Sequence, residues 1–150
     1  MSSANTIIIK GTGVRCERVA NAAITPGHLV ELMSTDKVRV HATAGGVAQS
    51  AFAVEDELQG RDIDTAYAAD AKVQFNVFRK GDVVNALISN GEDIDIGDKL
   101  VSAGDGTLKE ATADSSAVET EEYVVAIAVE ACDMSDSSAA DDPRCNVEII

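Results

Sequence analysis

Apolar and polar residues alternate with period two along much of this chain. Val14/Cys16, Leu29/Glu31, Lys37-Val38-Arg39-Val40, Val73/Phe75/Val77 and Asn146–Ile150 each carry the pattern of a half-buried strand. In "ITPGHLV" and "IDIGDKLV" an apolar residue stands three before a glycine and an apolar strand follows, which predicts tight turns at Gly27 and Gly97. Helix signals are few. The best is "DELQGRDIDTAYAADAK", Asp56 to Lys72, which Gly60 limits to a turn or two around Ile63–Ala69. "DMSDSSAADDP", Asp133 to Pro143, is small, acidic and polar, the composition of a surface loop.

The strand pattern occurs twice. Sliding the sequence on itself by 70 residues aligns Lys10-Gly11 with Lys80-Gly81, Val14 with Val84, Ile24 with Ile94 and Gly27 with Gly97. The same shift puts Val38-Arg39 on Leu108-Lys109 and Asn76-Val77 on Asn146-Val147. After five inserted residues, "AFAVE" at Ala51–Glu55 falls on "AIAVE" at Ala126–Glu130. These matches keep their order and lie at turns and apolar positions, which predicts a duplicated β unit. The expected fold is all-β: a flexible arm over 1–5, then one domain over 6–150, with related units at about 7–78 and 77–150. That domain is a small barrel or sandwich with at most one short helix.

Composition narrows the function. With 26 acidic and 12 basic residues the formal charge is −14, which repels a phosphate backbone and removes the counterion release that drives nucleic-acid binding. No Trp, three Phe and two Tyr leave almost no stacking platform for bases. No window approaches 18 consecutive apolar residues and no cationic leader opens the chain, so neither secretion by that route nor a membrane span is expected. Cys16, Cys132 and Cys145 are odd in number and form no CxxC, which argues for reduced, cytoplasmic thiols rather than a disulfide framework or zinc site.

Candidate chemistry is sparse. His28 and His41 are the only histidines, no serine elbow or cysteine signature accompanies them, and no catalytic residue is nominated. Asp93, Asp95 and Asp98 crowd one turn but lack the spacing and closing glutamate of a calcium loop, so neither metal nor cofactor is expected. Lys37, beside the Thr35-Asp36 turn, has the placement of an attachment lysine in lipoyl or biotinyl carrier domains. Across the repeat its place is taken by Thr107 in "GDGT", a plain turn. A carrier using Lys37 stays as the alternative, and an enzyme with a β-barrel core as a third reading.

From Ala51 to Met134 the ordered set AVE, DIDTAYA, GD, IGD, GDGTL and AVEA resembles capsid decoration (cement) proteins of tailed bacteriophages. The resemblance implies a non-enzymatic, β-rich virion protein made in the host cytoplasm. It would sit on the outer capsid surface as a homotrimer or other homo-oligomer, bind the major capsid protein and stabilise the mature head, with no nucleic-acid or membrane partner. No catalytic residues carry over. The polar start "SSANT" followed by "IIIK" nominates Ser2, Ser3, Ala4, Asn5, Thr6 and Ile7 as capsid-binding, with Ser2–Thr6 free in the isolated protein and ordered on the head, while the repeat, which puts Ile7–Lys10 on Val77–Lys80, favours a strand of the domain's own sheet there.

Overall fold

The computed structural model describes residues 4–112, 122–135 and 144–150. In chain order its strands are β1 (Ile8–Lys10), β2 (Val14–Ala20), β3 (Leu29–Leu32), β4 (Lys37–Val40), β5 (Ala51–Ala53), β6 (Lys72–Val77) and β7 (Val83–Leu87). They continue as β8 (Asp93–Ile94), β9 (Lys99–Ser102), β10 (Leu108–Glu110), β11 (Val124–Ala128), β12 (Cys132–Asp133) and β13 (Arg144–Ile149). Helical structure among the described residues is a single 3-10 turn at Glu57–Gln59. The protein is all-β.

Strands β2-β4-β3-β5-β6 close into a barrel, and a six-stranded sheet runs β1-β7-β13-β11-β9-β10. The two halves have one strand order, because β2-β6-β5-β3-β4 corresponds to β7-β13-β11-β9-β10. The parallel closure Ala20↔Val38 of the first half has its counterpart in the parallel bridge Ile88↔Leu108 of the second. Individual hydrogen bonds recur as well. Gly27 N to Ala53 O, Ala53 N to His28 O and His41 N to Leu29 O become Gly97 N to Ala128 O, Ala128 N to Asp98 O and Ala111 N to Lys99 O.

Both hairpin turns need a left-handed residue at the same place. Asp36 holds it with φ +62° in the first half and Gly106 with φ +85° in the second. Aspartate is among the few side chains that tolerate this region. At Gly106 even a Cβ would lie 2.8 Å from Val40 Cβ, because the second hairpin packs against the first barrel.

Two apolar clusters fill the halves. Ala20, Ile24, Val30, Val38, Tyr67, Val73 and Phe75 pack inside the first barrel. Ile7, Phe52, Phe78, Val84, Leu100, Leu108, Val125 and Val147 belong to the larger cluster, which runs from the second half into the junction. With so few aromatics, aliphatic side chains supply most of this burial, each contributing about 1.5–3 kcal/mol.

Two expectations are corrected. Ile63–Ala69 is not helical: Tyr67 forms an antiparallel bridge with Ile24, and its buried hydroxyl donates to Val54 O at 2.7 Å. Packing that aromatic into the barrel core overrides the local helix propensity of its alanine neighbours. The cysteines are not all reduced. Cys132 and Cys145 are joined by a disulfide with Cα atoms 6.1 Å apart, leaving Cys16 as the free thiol. Cys132 in β12 and Cys145 in β13 lie side by side, a proximity that sequence spacing does not reveal.

Candidate functional site

The arm residues do not share one environment. Ser2 and Ser3 lie outside the described residues. Ala4 is half-buried and Asn5 exposed, with Ala4 O accepting from Asn85 Nδ2 at 3.5 Å. Thr6 Oγ1 donates to Glu55 Oε1 at 2.6 Å, and Ile7 N donates to Glu55 Oε2 at 3.2 Å. Ile7 is fully buried, and its carbonyl accepts from Asn85 N at 2.8 Å. The expectations of a free Thr6 and of a capsid-binding Ile7 are therefore corrected: a buried carboxylate pins both, and the Ile7 side chain is core.

Glu55 was invisible in the sequence as anything but the end of "AFAVE". Buried, its carboxylate must find donors, and the two it finds fix the point where the N-terminus leaves the first half and joins the second half's sheet as β1.

Lys37 opens β4, one residue past the tip held by Asp36, and its Nζ meets Asp70 Oδ1 at 2.9 Å. The side chain lies along the barrel wall instead of crowning the hairpin.

The junction between the halves carries a polar group that no motif announced. Arg144 is almost fully buried; it donates to Pro26 O at 3.0 Å, to Ile63 O, and to Asp64 Oδ1 at 2.8 Å. Nη2 serves both carbonyls while Nη1 holds the Asp64 carboxylate, a planar, two-nitrogen arrangement that a lysine would not match. Beside it His28 Nδ1 accepts from Thr25 N at 3.1 Å. Burial holds the His28 pKa below the ordinary histidine value; Asp105 pulls it back up and Arg144 pushes it further down.

His41, Ser102 and Glu31 have a suggestive geometry. His41 Nδ1 lies 2.7 Å from Ser102 Oγ, and Nε2 lies 3.6 Å from Glu31 Oε2. Yet His41 Nε2 donates to Val47 O at 2.9 Å, and Ser102 Oγ accepts from Gly104 N at 3.1 Å. Both side chains are sealed in the protein, at 1% and 0% exposure, so a substrate carbonyl has no approach to the hydroxyl. His41 and Ser102 form a buried hydrogen bond across the two halves, while the partly exposed Glu31 accepts a hydrogen bond from Arg39 at the surface.

The acidic turn places Asp98 Oδ2 on Asp95 N at 2.8 Å, and Glu92 Oε2 accepts from Glu110 N at 3.1 Å. Asp98 first, then burial, then Glu92, Asp95 and Asp93 raise the pKa of Glu110. Cys132, Cys145 and Glu130 also bring ligand atoms within 4.8 Å of one another, but both sulfurs are spent in the disulfide. As a disulfide they offer no thiolate to a metal.

No family model matches the chain, and no curated protein sequence matches it. Among solved structures it is similar to the head fiber gp8.5 N base of bacteriophage phi29, with a TM-score of 0.56 at 16% identity. The match covers 91% of this chain and 93% of that one. At that identity the likeness establishes a shared fold along nearly the whole length of both chains.

Proposed function

We propose that this protein is a non-enzymatic structural component of a tailed-phage virion, attached to the outside of the head and stabilising the mature capsid. The observation that carries the reading is the end-to-end match of its fold with the base of a phage head fiber. The resemblance of the ordered motifs to those of decoration proteins points the same way. A charge of −14 suits a surface that leaves packaged DNA alone. The partner is the major capsid protein, and repeated copies on a symmetric lattice multiply modest contacts. Binding that favours the mature shell stabilises it in proportion to occupancy.

The test is to mix purified protein with mature heads lacking it, sediment them, and measure bound protein and the temperature at which DNA escapes. Co-sedimentation with a raised release temperature is expected, with no shift of naked DNA on a gel. Binding to DNA without binding to heads would overturn the proposal.

A further inference from the structure

The internal duplication exposes a difference between two equivalent edges. In the second half, β7 is flanked by β13 on one side, and its other edge is covered: Asn85 N donates to Ile7 O at 2.8 Å and Leu87 N to Gly27 O at 3.1 Å. The corresponding strand, β2, pairs with β6 from Val14 to Val19 but meets β4 only at Val19 and Ala20. Over Val14–Arg18 its second edge carries no strand among the described residues. Burial records the consequence: Val84 is 0% exposed, whereas its counterpart Val14 is 49% exposed.

The direction of the β2 backbone follows from its neighbours. Phe78 N donates to Ser50 O and Val54 N to Gln74 O, so the even-numbered residues at this level of β6 face β5. Residues opposite them in β2 are Arg15, paired with Asn76, and Glu17, paired with Gln74. Both sit at non-hydrogen-bonded positions of the β2–β6 ladder, and their own N–H and C=O groups point to the open edge. Asn21 N, which donates to Val38 O, faces the same side.

We infer that this open edge of β2 pairs antiparallel with the same edge of a second copy, about a two-fold axis at Cys16. Parity limits the register, because Arg15 and Glu17 must lie opposite odd-numbered residues for their N–H and C=O groups to meet. Charge then selects among the allowed registers. Centring the pair on residue 15 opposes arginine to arginine, and centring it on 17 opposes glutamate to glutamate. Centring it on Cys16 places Arg15 against the partner's Glu17 twice over and lays the stem of the partner's Arg18 across the exposed Val14. Edge charges normally repel a stray strand, but two of opposite sign spaced by two residues are complementary to themselves in this register alone. β1 of the same chain is not free to cover this edge, because it is already paired with β7.

In this pairing Cys16 faces the partner's Cys16 at a non-hydrogen-bonded site, where Cα atoms approach to about 4.5 Å, close enough for a disulfide. Light scattering should give twice the 15.6 kDa chain mass, and mild oxidation should link the copies through Cys16, the free thiol. Arg15→Glu should weaken the dimer about tenfold or more by placing like charges opposite one another twice, and Arg15→Glu/Glu17→Arg should restore it. A monomer at all concentrations, an assembly in which Cys16 never cross-links, or an Arg15→Glu protein that associates as well as the parent would each overturn the inference. Head binding is measured separately, so its failure would leave this result standing.

Discussion

The guanidinium of Arg144 donates to the carbonyl oxygen of Pro26 at 3.0 Å across a sequence separation of 118, tying β13 to the turn between β2 and β3 of the first barrel. The same side chain holds Ile63 O, so one residue closes two loops of the opposite half. Arg144→Ala should cost about 3 kcal/mol, since two inward-facing carbonyls lose their donor. Arg144→Lys should recover no more than part of this, lacking the fork. Denaturant unfolding checks both, and equal stability of the alanine variant would refute the role.

Glu55 anchors the entry of β1. Replacing it with alanine leaves Ile7 N buried without its acceptor, for an expected loss of about 1–3 kcal/mol. The signature should be local: amides of Ile8–Lys10 and the β7 edge should exchange hydrogen much faster, while those of the first barrel stay protected. Deleting residues 2 and 3, which precede the Ala4 contact with Asn85, should change neither, and reduced head binding by that deletion would locate a capsid contact ahead of Ala4.

Acidification should loosen the junction through His28. The unfolded imidazole takes its proton near pH 6.5, whereas burial delays protonation in the folded chain to lower pH. Unfolding therefore takes up a proton between these values. The His28 contribution is intact above pH 6.5, falls as pH drops toward the folded pKa, and is fully lost below it. Thermal unfolding from pH 8 to 5 should show a steeper decline for the parent than for His28→Asn. Parallel curves would rule out His28 as the cause.

Reduction should lower stability as well. The Cys132–Cys145 bond closes a loop with a sequence separation of 13, worth about 3 kcal/mol in chain-entropy terms. Intact mass should rise by two hydrogen atoms on reduction, one on each sulfur. Cys132→Ser/Cys145→Ser should unfold at the temperature of the reduced parent, not the oxidised one.

What the sequence made legible was local. Alternation marked β4, β6 and β13, and the glycines at 27 and 97 marked turns, because period and φ are properties of short segments. Tyr67 was misread because its extended conformation is imposed by a bridge to Ile24, more than forty residues away. The tie of Thr6 was hidden for the same reason: it depends on Glu55, which the N-terminus meets only in the folded chain. Glu55, Arg144 and the His41–Ser102 pair give no signal in sequence at all. Their chemistry is created by burial, and a lone charged residue reads as surface until its neighbours are known.

The strands nearest the two chain ends flank a common neighbour. β1 and β13 both run antiparallel to β7, one on each side, and so point the same way. Tension drawn between the ends pulls the start of β1 and the finish of β13 in opposite directions along β7. Their hydrogen bonds must then slide and rupture together instead of unzipping singly. The sheet is loaded in shear, the geometry in which a short ladder resists force best, and the resistance passes through the one strand that joins the first half to the second.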